Sequence, residues 1–254
     1  MGKKGGRKHV KRLSAPRLWP IHKKEARWTV RARPGPHGRE ECLPILLVLR
    51  EILGVARTRK EAKLILSEGQ FKVDGKVRRD ESFPVGLMDV VEIPSMKRAY
   101  RILPFLNKGL GLHPIGDAEK GFKLCKIMDK STVDGGHIQL NLHDGRNLLV
   151  RVSNPREAAE DVYATSDVLK VSIPDLEILE VVKFEEGAVT MVAHGRNAGR
   201  HGKIVSVEKG AGTNPAIVTL EEEGGAKLQT SIDSLFVLGG EKPLVSLSGV
   251  GSGG

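Results

Sequence analysis

Four side chains able to exchange protons, Asp134, His137, His143 and Asp144, fall close together in the sequence. General acid–base chemistry needs such groups within hydrogen-bond reach of one reacting atom. Here they flank two alternating apolar runs, Ile138, Leu140, Leu142 and Leu148, Val150, Val152, with Asp144-Gly145 between them. Alternation with that turn predicts a hairpin, and the four read as its polar turn residues. The chain has no G-x-x-x-x-G-K-[ST] phosphate loop and no H-E-x-x-H pair. Gly249, Gly251 and Gly254 satisfy G-x-G-x-x-G. A dinucleotide site also needs a strand before that pattern and a helix after it, so the run reads as a flexible tail. Cys42 and Cys125 form no C-x-x-C pair, and the eight histidines show no metal-ligand spacing with them. No metal, cofactor, small-molecule substrate or enzymatic turnover is expected, and two unpaired cysteines suit a reducing compartment.

The chemistry the chain does carry is recognition of polyanions. Residues 1–39 hold thirteen Lys or Arg against one acid, Glu25, whereas the net charge of the whole chain is only +10. The basic character therefore sits in one arm, and the body is slightly acidic. Lys3, Lys4, Arg7, Lys8, Lys11, Arg12, Arg17, Lys23, Lys24, Arg27, Arg31 and Arg33 supply candidate phosphate contacts. Trp19 and Trp28, the only two tryptophans, offer stacking surfaces for bases among them. So charged a segment, poor in branched apolar residues, is expected to be disordered alone and to order on RNA. Pro16, Pro20, Pro34 and Pro36 stiffen it. No apolar core of a signal peptide and no stretch long enough for a membrane helix occurs, so no membrane partner is expected.

The elements that position further cations follow the arm. Leu43–Leu53 reads as a helix ending at Gly54, and Thr58 with Glu61 forms a capping box for a second one that stops at Gly69. On that helix Thr58, Ala62, Ile65 and Leu66 share one side, with Arg59, Lys60, Lys63 and Ser67 opposite. Leu64 falls on the polar side. Phe71–Lys76 reads as a hairpin turning at Asp74-Gly75, presenting Lys76, Arg78 and Arg79. The stretch TRKEAKLILSEGQFKVDGKV resembles the helix–helix–hairpin RNA-binding module of bacterial ribosomal protein four, also found in pseudouridine synthases and tyrosyl-tRNA synthetases. The resemblance implies that Arg57, Arg59, Lys60, Lys63, Lys76, Arg78 and Arg79 contact RNA phosphates.

Residues 95–172 read as β-rich, opening with the basic segment of Lys97, Arg98 and Arg101 and ending near a strand at 169–173. Asn154–Asp161 fits a short helix. From Phe184, strands near Val189–Ala193, Lys203–Val207, Ala216–Leu220 and Ala226–Thr230 suggest a small closed barrel. Its stretch through GRNAGRHGK resembles the KOW motif, whose barrel is SH3-like. That likeness implies Gly202 as the turn glycine and Arg196, Asn197, Arg200, His201 and Lys203 as a nucleic-acid or protein contact.

Taken in order, an arm with Leu18-Trp19-Pro20, the helix–hairpin module, a β-rich middle and a KOW barrel resemble small-subunit ribosomal protein four of the archaeal and eukaryotic e-type, the archaeal form fitting better. The fold class implied is multidomain α+β, mostly β. Its parts are a basic RNA-threading arm (1–41), an RNA-binding module (42–94), a β-rich central domain (95–173), an SH3-like barrel with the KOW motif (174–240) and a flexible tail (241–254). The partners implied are small-subunit ribosomal RNA and neighbouring ribosomal proteins, in the cytoplasm. An extra-ribosomal RNA-binding regulator or an RNA-modification accessory protein is the alternative. The pseudouridine synthases place a catalytic Asp after Arg-Leu, where Arg12-Leu13 is followed by Ser14.

Overall fold

The computed structural model describes residues 9–153, 162–208, 210, 215–222 and 224–247. Three antiparallel sheets of five strands each make up most of it, with two short strand pairs near the N terminus. The protein is mostly β, with Arg59–Ser67 the longest helix among the described residues. None of those helices is long and apolar enough to cross a membrane.

Helix formation starts two residues later than the apolar run predicts. Cys42–Pro44 is a short strand paired with Pro84–Gly86, and the helix begins at Ile45. Pro44 explains the start, because its fixed φ of −64° and missing N–H suit a residue just ahead of a first turn. The helix widens into a π turn over Val48–Ile52. In the second helix the capping box forms in both directions: Glu61 N donates to the Thr58 hydroxyl at 3.3 Å, and Thr58 N donates to the Glu61 carboxylate at 3.4 Å. Ala62 and Leu66 are fully buried, as the wheel requires, and Leu64 is 61% exposed.

The hairpin of Lys72–Val73 and Lys76–Val77 turns through positive φ at Asp74 and Gly75. It forms the edge of the first sheet, which continues through Val90–Ile93, Arg98–Phe105 and Gly109–Ile115. Position 94 lies in the tight turn Pro94–Met96 between two paired strands, so the layer carrying the hairpin extends to residue 115.

The second sheet is ordered Asn147–Val150, Ile138–Leu142, Phe122–Thr132, Val168–Ser172, Ile178–Val182. The predicted hairpin forms in register, Ile138 opposite Val150 and Leu140 opposite Leu148, with Ile138, Leu140 and Leu142 buried. The helix expected at 154–161 falls outside the described residues. The third sheet is ordered Lys227–Ser231, Ile217–Glu221, His201–Glu208, Val189–Val192, Leu235–Gly239. Its last strand is buried at every position, as is Val189–Val192 beside it, so neither shows alternation, because neither face meets water.

The expectation of a disordered arm is overturned for residues 9–41. Val10–Lys11 pairs with Trp28–Thr29, and Ala15 and Trp19 pack into one core with Leu43, Leu49 and Phe71. Leu110 N donates to the Leu18 carbonyl at 2.9 Å, adding the arm to the first sheet's edge. Average composition hides this. A few anchors suffice, since a single buried Trp removes about 150–250 Å² from water, while most cations between the anchors stay outside.

Candidate nucleic-acid interface

The capped helix sets its cations by geometry. Arg57, Arg59, Lys60 and Lys63 are exposed on the face opposite Ala62 and Leu66. Arg59 is not a free charge: its Nε lies 3.0 and 2.9 Å from the two carboxylate oxygens of Glu81, and Lys63 Nζ lies 3.5 Å from the same group. The Arg59 hydrogen bond holds the Glu81 carboxyl below its ordinary range, although partial burial opposes it. Glu81 thus aims the Arg59 guanidinium, whose other N–H groups remain available. Lys76 and Arg79 are exposed on the hairpin, whereas Arg78 is half-buried with its guanidinium 4.3 Å from the Phe83 ring centroid.

On the arm, Lys11, Arg17, Lys23, Lys24, Arg27 and Arg33 are exposed, Arg31 is half-buried, and Trp28 is 49% exposed. Arg33 pairs with Asp80 at 2.7 Å, beside the second helix. Trp28, Thr29 and Val30 line one cleft with Leu46, Arg50 and Arg59. The fold therefore brings arm residues and the helix cations Arg50 and Arg59, distant in sequence, to one cleft. Lys97 and Arg98 are exposed at the turn after Val90–Ile93. Lys3, Lys4, Arg7 and Lys8 lie outside the described residues.

Three candidate RNA contacts are corrected. Trp19, 4% exposed, has its ring in the core, so no base can stack on it. Arg12 is 5% exposed and divides its guanidinium between Glu25 at 3.0 Å and Glu51 at 2.8 Å. Arg101 is fully buried, donating to the carbonyls of Glu119 and Phe122, and burial lowers its pKa to about 10. Arg12 and Arg101 read as surface residues because long cationic side chains usually are, and Trp19 because it stands among cations; only packing shows otherwise.

In the third sheet, Arg196 and Lys203 are exposed, and Asn197, Arg200 and His201 are half-buried. Arg200 Nε lies 3.1 Å from Glu222, which reduces its share of any anion contact. Gly202 is not in the turn. It sits within the strand His201–Glu208, and a Cβ there would lie 2.5 Å from the Glu221 carbonyl of the next strand. Gly199, at φ +93°, makes the turn and brings the loop against the backbone of residues 104–106.

What fixes these surfaces relative to one another is interior. Lys123 Nζ lies 2.5 Å from Asp89, 3.0 Å from Asp144 and 3.2 Å from Asp74, all four groups buried. Arg146 reaches Asp74 at 2.6 Å, and His37 Nε2 reaches Asp89 at 2.9 Å. Burial alone would raise the Asp89 carboxyl, but the His37 ring and the Lys123 ammonium hold it far below its usual range. Lys123 stays charged, its pKa pushed up by the three carboxylates against the effect of burial. One buried ion cluster thus joins the arm, the hairpin turn and the middle sheet. His143 is half-buried beside this cluster. Its Nδ1 accepts from Lys126 N at 3.2 Å, so Nε2 carries the proton toward the Leu87 carbonyl at 3.2 Å. The hairpin's Asp144, buried, and His143, half-buried, are therefore bonded members of the scaffold, not turn decoration. Lys126 Nζ donates to the carbonyls of Ile232 and Leu235, tying the middle sheet to the third. This set is not legible in the sequence, where its only local signal is two lysines, Lys123 and Lys126, within the apolar strand Phe122–Thr132.

The sequence model of ribosomal family S4e matches residues 96–178, that of the RS4NT domain residues 4–40, and that of the S4 domain residues 46–91. The chain is 53% identical over 247 residues to small ribosomal subunit protein eS4 of Desulfurococcus amylolyticus, an alignment covering 97% of this chain and 98% of that one. It is 50% identical to the protein of the same name from Aeropyrum pernix, with the same coverage. Among solved structures, 30S ribosomal protein S4e from Thermoplasma acidophilum superposes with a TM-score of 0.65 at 31% identity, covering 79% of this chain and 96% of that one.

Proposed function

The chain belongs to ribosomal family S4e, and on that premise we propose that it is a structural constituent of the small ribosomal subunit, binding and stabilising that subunit's RNA. The observation that carries the reading is 53% identity, across nearly the whole of both chains, to a protein named for that subunit. The residues proposed for RNA contact are the exposed cations of the arm, of the capped helix and of the hairpin. Lys3, Lys4, Arg7 and Lys8 extend the same charge. The third sheet is read as an SH3-like barrel whose KOW loop, Arg196–Lys203, meets RNA or a neighbouring ribosomal protein.

The mechanism is electrostatic and architectural, without turnover. Each phosphate neutralised releases counterions, and specificity comes from the fixed spacing of the charged surfaces. Folding the arm onto the body lowers the entropy lost on binding, because residues 9–41 are positioned before RNA arrives. Sucrose-gradient fractionation of cells carrying a tagged copy tests the reading. The protein is expected with small subunits at one copy per particle. Its recovery at the top of the gradient, or far below that ratio, refutes the assignment.

A further inference from the structure

We propose that the cleft between the arm and the two helices is the seat of one unstacked RNA nucleotide, its base against Trp28 and its phosphate met by the guanidinium groups of Arg50 and Arg59. The inference deepens the ribosomal RNA-binding reading and rests on it.

The cleft has a volume of about 200 Å³ and is lined by Trp28, Thr29, Val30, Leu46, Arg50 and Arg59. Whole-ligand sites usually measure about 300–1,000 Å³, so this one suits a single planar group rather than a larger molecule. Trp28 is the large exposed aromatic surface there, held by its pairing with Lys11, with the Arg27 guanidinium 5.2 Å from its ring centroid. Two guanidinium groups belong to this lining. The Arg50 side chain is 32% exposed, with Glu51 3.9 Å away, and the Arg59 side chain, 61% exposed, is oriented by Glu81. Both groups only donate, so the partner they call for is an acceptor-rich anion. An aromatic face beside two guanidinium groups matches a base with its phosphate. An acidic protein side chain would pair the cations but leave the indole unused.

Arg50 escapes a reading by charge pattern because it stands in the apolar run Leu43–Leu53. The site exists only once the arm is packed against the helices.

The test uses the full chain and a small-subunit ribosomal RNA transcript, following tryptophan emission. Trp19, in the core, serves as an internal reference. The transcript is expected to quench the Trp28 component, and Trp28→Phe to abolish the quenching. Trp28→Ala and Arg50→Gln should each weaken binding about tenfold, the worth of one stacked base or one charged contact. Adenosine monophosphate at equal nucleotide concentration should leave the emission unchanged. If it quenches as well as the transcript does, the cleft is a free-nucleotide site and the proposal is overturned. Transcript binding without quenching and with unaltered affinity in both variants also overturns it, while leaving the ribosomal reading intact. Absence of transcript binding refutes that underlying reading too. Ultraviolet cross-linking of the unsubstituted protein provides a measurement independent of variant folding. Adducts are expected on the peptides carrying Trp28 or Arg50, and adducts confined elsewhere reject the seat.

Discussion

The indole Nε1 of Trp19 donates a hydrogen bond of 2.6 Å to the carbonyl oxygen of Cys42. This bond joins the basic arm to the first residue of the strand that precedes the helices. A residue whose type suggested base stacking instead anchors the arm.

Trp19→Ala is therefore expected to behave as a core mutation, costing about 3–5 kcal/mol. Thermal unfolding measures the loss, and hydrogen exchange should show amide protection falling between residues 10 and 30. Unchanged stability would mean that the arm is not packed as described.

Lys123→Met leaves Asp74, Asp89 and Asp144 with one cation fewer in the interior and should destabilise the fold by about 3–5 kcal/mol at neutral pH. Without Lys123 the Asp89 and Asp144 carboxylates, which it holds below their usual range, are more easily protonated, so the difference from the unsubstituted protein should shrink as pH falls. Urea midpoints of both proteins at pH 7 and pH 4.5 check the direction.

His143 supplies a pH dependence of opposite origin. Burial, then Lys123 and His37 nearby, push its pKa down to about 3. An unfolded His titrates near about 6.5, so below that value the unfolded state binds a proton that the native state refuses. Stability should fall by about 1.4 kcal/mol per pH unit from this residue between those limits, and rise again with pH. His143→Gln can keep both hydrogen bonds and should remove this part of the slope in chemical denaturation.

Lys60 and Arg59 are adjacent exposed cations with different roles. Lys60→Ala should reduce the log–log salt slope of RNA binding by about 0.7–0.9 and leave the melting temperature unchanged. Arg59→Ala should lower both, because Glu81, whose side chain is only 9% exposed, would keep only the Lys63 contact. Equal stability of the two variants would show that Glu81 does not need Arg59.

Much was legible from the sequence because it is local. The capping box of Thr58 and Glu61, the Asp74-Gly75 turn and the alternation through Ile138–Leu142 depend on neighbours within a few positions. Four strands of the third sheet were found within a residue or two, Val189–Val192 among them although it is fully buried, and Leu235–Gly239 was not. Charge clustering pointed to a polyanion because like charges held together need counter-charge.

Which cations stay in water was decided only by tertiary packing. Arg12 and Arg17 are both basic arm residues, yet one is buried between Glu25 and Glu51 and the other is exposed. The two acids that hold Arg12 are thirteen and thirty-nine positions away. In the same way Lys123 draws carboxylates from three separate stretches of chain, and the cleft at Trp28 needs walls from the arm and both helices. Solvation and Coulomb energies depend on distance in space, and separation along a chain does not fix that distance until the chain has folded.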